Sequence, residues 1–476
     1  MQVFIHIAVL LFGMSLLSKR VNAKSPVYLY TFISYFLGWA VVSLAMMVMF
    51  VSPFGASLPK VVLILIPITS YFFRGDGFCY FVERSKYLLL VFCLIVVTAN
   101  LYADVVLTVD SQQYISAGKF IAEGGSLWSA PFELSQYVFA RMFFLPSVVA
   151  LGYWCGIELF YSFCPVVSIW GLLFLSSIIF NAARINLSVS KSILMSLIFV
   201  MICISQVQYH KLTIWFLANI PAAIYYSFGV VLLGRWVYKK SSRGLYWGVF
   251  FLAVCTFIRS EFLLYSFLPI YLLGVFCRDR LNSRVWLSAV GMYFFIVSPW
   301  WVLAMQVSDW NYFHIGGSRI SFLLIGSFAI SMIQWLFISN RVRSVAALKY
   351  YDLSVWLGPV LVLVLVGSTR SYGFSNLLYG LNYAVHHGWK MIFLVLMPAF
   401  VFSAVLFRRD IENRYLSAVI FYYLFFMALG FFHFEPKDVG LISSTSLRTG
   451  IHIFPVIVFL FVTNLIRVEA SPKQCT

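Results

Sequence analysis

The sequence predicts an all-α fold, a polytopic transmembrane helical bundle of about 13–15 spans, and three observations carry that expectation. Mean hydropathy is +0.94, with 62% hydrophobic and only 10% charged residues, a composition foreign to water-soluble domains. Apolar runs of about 17–25 residues recur along the chain, long enough to cross a hydrocarbon core as helices. These runs are continuous rather than alternating, so a closed β-barrel is excluded. The formal net charge of +17 is accounted for by Lys and Arg flanking spans on the cytoplasmic side, and no nucleic-acid partner is expected.

The expected spans run over 2–17, 27–51, 61–73, 88–106, 160–182, 192–209, 213–234, 246–260, 262–277, 286–305, 320–338, 352–369, 389–407, 415–432 and 451–466. The first run precedes Lys19-Arg20 instead of following a basic segment, and no small-residue cleavage site is evident. It is expected to be a retained span rather than a signal peptide. The apolar stretch 142–157 follows Arg141 and carries Pro146, and is assigned as a juxtamembrane helix lying in the interface. With it refused as a span, 23 of the 33 basic residues fall in one set of loops, from Lys19 and Arg20 through Arg235 to Arg467 and Lys473. The opposite side keeps Lys60, Lys119, Arg141, Lys211, Arg259, Arg319, Arg370, Lys390, Lys437 and Arg448. This asymmetry puts the N-terminus outside, the C-terminus inside and the segment 103–159 outside. Residues 1–87 then form additional N-terminal spans, 88–466 the main transmembrane unit, and 467–476 a cytoplasmic tail. Seven of the eight cysteines lie in or beside apolar runs with neither metal spacing nor a disulfide framework, and are expected to be apolar fillers.

Acidic residues number only 16, yet Asp104, Asp110, Glu123 and Glu133 cluster in the segment 103–159. Asp110 stands just beyond a span. Tyr114 and Ala117 follow it at helical spacing, then the Gly124-Gly125 turn and Trp128. A carboxylate held there can take a proton from an incoming hydroxyl or amine. The competing reading is a helix N-cap, a position that favours Asp. Asp104, at a span end, is the weaker catalytic candidate. The two carboxylates are six positions apart and form no tight D-x-D, so a divalent cation such as Mg or Mn is left open and no metal ligand is assigned.

Outward-facing cations run against the usual bias, and binding of a phosphate explains them. Arg259 and Glu261 fall at an outer junction of two apolar runs, where charge is costly unless paired or functional. A structural pair explains them as well as a role in binding. Lys211 sits in Tyr209-His210-Lys211, expected to be a very short outer turn, with snorkelling as the plainer alternative. Arg448 precedes the last span, where helix-end amides would add to an anion site. Ser298-Pro299-Trp300-Trp301 is expected to end a span, with its tryptophans in an interfacial belt. Adjacent His386 and His387 do not face one way on a helix and are not assigned to a metal.

Taken in order, these parts resemble the integral-membrane glycosyltransferases of the GT-C superfamily, especially relatives of protein O-mannosyltransferases and the lipid A aminoarabinose transferase. The carrying features are D-x-x-x-Y-x-x-A from Asp110, Gly-Gly-x-x-Trp, an interfacial apolar segment, Arg259-Ser-Glu261, Pro-Trp-Trp and an Arg before the last span. They extend over roughly residues 88–466. The resemblance implies a sugar donor carried on a polyprenyl phosphate, undecaprenyl in bacteria. It implies transfer to a glycan, lipid or protein acceptor on the extracytoplasmic face of the bacterial inner membrane, in cell-envelope polysaccharide biosynthesis. Asp110 would act as base, with Asp104 second. Tyr114, Lys211, Arg259, Glu261 and Arg448 would bind substrate. The family places its catalytic segment after the first span, whereas here three extra spans (2–17, 27–51 and 61–73) come before, and Ser111 stands where close relatives carry an acid; both depart from the family pattern. Two alternatives are an O-antigen or exopolysaccharide polymerase and a lipid-linked oligosaccharide flippase or transporter. The first expects a second outer arginine that 370–388 lacks, and the second expects charges at the bilayer midplane.

Overall fold

The computed structural model describes residues 2–21, 27–73, 75–102, 105–130, 143–239, 242–277, 281–306, 317–339, 373–403, 410–431 and 439–470. The expected span 352–369 and residues Asp104, Glu133, Arg141 and Arg370 lie outside them. In chain order the α-helices are α1 Gln2–Leu17, α2 Val27–Val51, α3 Leu58–Phe72, α4 Gly75–Tyr102, α5 Val109–Ala122 and α6 Phe144–Trp154. There follow α7 Phe160–Ala183, α8 Val189–Ser205, α9 Val207–Ile214, α10 Asn219–Lys239, α11 Ser242–Ile258 and α12 Phe262–Phe276. The last are α13 Ser283–Gln306, α14 Gly317–Ile338, α15 Gly373–Ala384, α16 Lys390–Val401, α17 Ile411–Phe431 and α18 Val439–Ala470. A π-helical turn, Val385–Trp389, joins α15 to α16.

The protein is a polytopic helical bundle. Seven helices among the described residues are long and apolar enough to cross a membrane, or eight if the bent pair α8–α9 makes one span. That is fewer than the expected fifteen. Several expected spans form helices that are apolar but short, among them Leu58–Phe72 and Phe262–Phe276. At 1.5 Å per residue a 15-residue helix reaches only about 22 Å, so such a piece crosses a ~30 Å core only with help from its neighbours.

The bundle is built around α10, whose candidate span Asn219–Tyr238 is 89% buried. It packs against α7, α11, α17 and α18. Two polar clusters fix the direction of these helices. Asn219, at the start of α10, meets His452 early in α18, and Arg235 near the end of α10 meets Glu412, which also binds Arg467 late in α18. Helices α10 and α18 therefore run parallel. Helix α17 runs against both, since Glu412 opens it and Tyr423, further along, meets His452. Sixteen residues of helix, about 24 Å, separate Asn219 from Arg235, so the two clusters stand near the two faces of a hydrocarbon layer.

The first helices are tied into this body. His6 on α1 bonds Tyr35 on α2 (2.8 Å) and Ser162 on α7 (2.9 Å), all buried. Burial of a polar imidazole among apolar spans is tolerable because both ring nitrogens are satisfied.

Four local expectations change. Residues 105–130 and 143–159 are mostly helical rather than a polar loop: α5, a short 3₁₀ turn Leu127–Ser129, and α6. Helix α6 is too short to span, as expected, yet it does not lie with one face in lipid. Phe144 through Ala150 are buried, and α5 packs on it. A Cβ on Gly118 of α5 would come within 2.8 Å of the Pro146 carbonyl oxygen, so only glycine permits that approach. The motif Pro299-Trp300-Trp301 is inside α13, not at its end. Trp300 is buried, while Trp301 is 36% exposed, so only one indole is placed for an interfacial belt. The run 192–209 is not one straight span either: the chain breaks at Gln206 and bends by 74° into α9.

Candidate functional site

Asp110 occupies the first turn of α5 but is not its cap. Thr108 is the N-cap: its hydroxyl accepts from the Ser111 backbone N–H (3.3 Å), and the Thr108 N–H donates to Ser111 Oγ (3.1 Å). This reciprocal box satisfies the helix end without Asp110. The Asp110 carboxylate is instead 46% exposed and faces Arg448, with Nη1 to Oδ2 at 3.7 Å. Its place in the first turn also sets it against the positive end of the helix dipole.

The start of α5 is pinned to the segment leading into α10. Val106 donates to the Ile214 carbonyl (2.9 Å), and residue 106 forms an isolated parallel bridge with Trp215. Ser111 Oγ donates to the Phe216 carbonyl (2.8 Å). Ser111 is thus consumed by capping and anchoring, which gives a structural reason for a hydroxyl at this position. Past Ala122 the chain turns at Gly124, whose φ of +87° suits glycine, and Trp128 Nε1 donates to the Val51 carbonyl (3.1 Å).

Asn219 lies a few residues past this anchor, with its side-chain oxygen at the centre of a buried network. It accepts from Arg259 Nη1 and lies 3.1 Å from His452 Nε2. His452 Nδ1 lies 3.1 Å from the Tyr423 hydroxyl. These distances fit a neutral imidazole with the proton on Nε2, donating to Asn219 and accepting from Tyr423. Arg259 also reaches the Glu261 carboxylate through Nη2 (2.9 Å) and Nε (3.4 Å). Burial opposes charge on the Arg259 guanidinium, but the Glu261 carboxylate outweighs it and holds the pKa above its ordinary value.

Two i, i+4 pairs bind these groups into one site. Arg448 and His452 share a face of α18, one turn apart, and Asp110 and Tyr114 share a face of α5. Tyr114 is 3% exposed, packs edge-on to Phe216 at 6.4 Å, and lies close enough to Arg259 to act on its charge. Hence the structure brings together Asp110, Tyr114, Arg259, Glu261 and Arg448, five of the seven residues singled out by sequence. Asp104 lies outside the described residues.

Two corrections follow. Lys211 is not in a turn but in α9, where its side chain is exposed and, among the described residues, forms no ion pair. The turn was misplaced because the break falls earlier, at Gln206, whose amide donates to the Gly388 carbonyl (2.5 Å). Arg448 does not sit at a helix end: α18 begins at Val439, nine residues before it. Backbone amides at that depth are used within the helix, so the helix-end anion site falls away and the guanidinium alone remains.

Asn219, His452 and Tyr423 were missed in the sequence. His452 carried a legible signal, being a polar group within an otherwise apolar span and one turn from an assigned arginine. Asn219 and Tyr423 carried none that periodicity could separate from packing. Among the described residues no three His, Cys, Asp or Glu side chains are grouped to hold a metal ion. His387 is engaged otherwise, stacked on Tyr383 at 4.0 Å with Nδ1 3.0 Å from the Tyr383 carbonyl.

No family model, curated protein or solved structure matches the chain.

Proposed function

We propose that this protein is a membrane glycosyltransferase that moves a sugar from a polyprenyl-phosphate donor to an acceptor at the extracytoplasmic face of a cell membrane. The observation that carries the reading is the Asp110–Arg448 pair beside the Arg259–Glu261–Asn219–His452 network at one end of the bundle. A half-exposed carboxylate paired with one arginine, with a second arginine in the adjoining network, matches what attack on a phosphate-linked sugar needs. The pair is too exposed to be explained by stability, since such contacts contribute roughly 0–1 kcal/mol.

In the reaction the acceptor hydroxyl or amine attacks the anomeric carbon and its proton passes to Asp110. The bond from that carbon to the phosphate oxygen breaks, and the polyprenyl phosphate leaves with the bonding pair. Arg448 and Arg259 are placed to take up the growing phosphate charge, the largest single contribution available to such a site. One in-line displacement inverts the anomeric configuration. No step is assigned to a metal.

The test is mass spectrometry of lipid-linked sugars and envelope glycans from cells with the gene, without it, and with Asp110→Asn. Loss of one glycan residue together with accumulation of its prenyl donor is expected in the deletion strain. Asp110→Asn should lower transfer by at least about a hundredfold with normal membrane insertion. Wild-type glycans in the Asp110→Asn strain would remove Asp110 from the chemistry. Lipid-linked repeat units that are made but never exported would favour the flippase reading instead.

A further inference from the structure

We infer that His452 and Asn219 are positioning residues that set the Arg259 guanidinium, and so fix the two arginines of the site relative to each other. The inference rests on the proposed function for its purpose, but not for its geometry.

Arginine has a long side chain with many rotamers, and an arginine meant to meet a phosphate must hold one of them. Glu261 restrains Arg259 from its own turn only two residues away, and Glu261 is itself 30% exposed. The restraint from the bundle comes through Asn219, which is 3% exposed at the first position of α10. A single oxygen there receives Arg259 from one side and His452 from the other. Without His452 the Asn219 amide would lose its second anchor and be free to turn away from the guanidinium. With it present, the oxygen is shared and its direction is fixed. The imidazole is held in turn by the Tyr423 hydroxyl and by edge-on packing on Phe262, centroids 5.1 Å apart.

The consequence is a register between two elements that no backbone bond joins. Arg448 lies one turn before His452 on α18, and Arg259 lies in the turn between α11 and α12. The chain His452–Asn219–Arg259 ties the rotamer of one arginine to the helix that carries the other. A displacement of α18 along α10 would therefore part His452 from Asn219 and release the Arg259 rotamer as it moves Arg448. An apolar residue at 452 would fill the space and keep the helix, but uncouple them.

The test uses the purified full chain in detergent, with wild type, His452→Phe, His452→Gln and Asn219→Leu. Arginine reactivity toward phenylglyoxal is followed by peptide mass spectrometry at Arg259 and Arg448. Binding of undecaprenyl phosphate is compared with binding of undecaprenol, the uncharged control. His452→Phe and Asn219→Leu should raise the modification rate at Arg259 about tenfold, the effect of losing one buried hydrogen bond, and leave Arg448 within about twofold. The same variants should weaken undecaprenyl phosphate binding about tenfold without lowering Tm in proportion. His452→Gln, which keeps a side-chain N–H for Asn219, should restore most of both. Unchanged Arg259 reactivity in His452→Phe would overturn the inference, as would equal damage from Gln and Phe. Equal binding of undecaprenyl phosphate and undecaprenol by wild type would overturn the proposed function, while the reactivity data still decide the positioning role.

Discussion

Among single residues, Ser111 illustrates how a side chain next to a candidate catalytic carboxylate can have a structural task. Its hydroxyl completes the α5 capping box and reaches across to the Phe216 carbonyl, so the site carboxylate is held by groups that never touch substrate. Ser111→Ala should cost about 1 kcal/mol through the lost cap, read as a lower Tm in detergent. It should also loosen the first turn of α5 and reduce transfer more than stability. A proportionate loss of both would assign Ser111 to folding alone. Glu412 is the counterpart at the other end of the bundle. It is 2% exposed and lies 2.9 Å from Arg467 and 3.5 Å from Arg235, and Asp410 adds a 3.1 Å contact to Arg467. Removing one partner from a buried ion pair typically costs about 3–5 kcal/mol, because the remaining charge is left without compensation. Arg467→Met should therefore destabilise the bundle far more than Arg448→Met. Fluorescence-detected size exclusion after graded heating measures the difference.

At the level of elements, α5 carries Asp110 and Tyr114 and rests on α6, and their contact is a close one. Gly118 lets α5 approach the Pro146 carbonyl, and no side chain fits there without moving a helix. Gly118→Val should destabilise by about 1–3 kcal/mol, the usual cost of overpacking, and should impair transfer by shifting Asp110. Thermal unfolding and product formation check the two parts separately. The bend between α8 and α9 has a comparable origin. Gln206 stands at the break, and its side-chain amide and that of Gln208, in the first turn of α9, donate to the Gly388 and His387 carbonyls (2.5 and 3.4 Å). Those carbonyls belong to a π-helical turn, where the i→i−4 pattern is broken and oxygens can accept from outside the helix. Single-sequence reading sees only a long apolar run across 192–209, because the partner that terminates it lies some 180 residues away. The same limit hid the true start of α18: residues 439–447 read as a polar loop, yet they continue the helix that carries Arg448.

Over the whole molecule, charge separates to the two ends of the bundle. Asp110, Arg259, Glu261 and Arg448 gather at one end. Arg235, Asp410, Glu412 and Arg467 gather at the other, about 24 Å away along α10. Between them α10 presents Ile220 through Val231 almost wholly to protein, a buried column between two polar ends. Such a distribution suits a site at a membrane surface rather than a path through the bilayer midplane. The orientation inferred from basic residues predicts that a cysteine placed at 110 reacts with an impermeant maleimide from outside, and one placed at Lys191 only from within. Labelling of position 110 solely from the cytosolic side would invert the bundle and remove the proposed donor face.

Composition and run length alone require a helical membrane bundle, because apolar runs in a lipid solvent admit few other backbones. They also make Asp110, Arg259, Glu261 and Arg448 stand out, because charge is costly beside a membrane and therefore conspicuous when present. Packing in three dimensions is what pairs Asp110 with Arg448, joins Arg259 to Glu261, Asn219, His452 and Tyr423, and leaves Lys211 exposed with no ion pair among the described residues. Those are questions of which helix lies beside which and in what register. They are settled by packing, hydrogen bonds and ion pairs between residues as distant in sequence as Asp110 and Arg448, and the local pattern along the chain carries no record of such contacts.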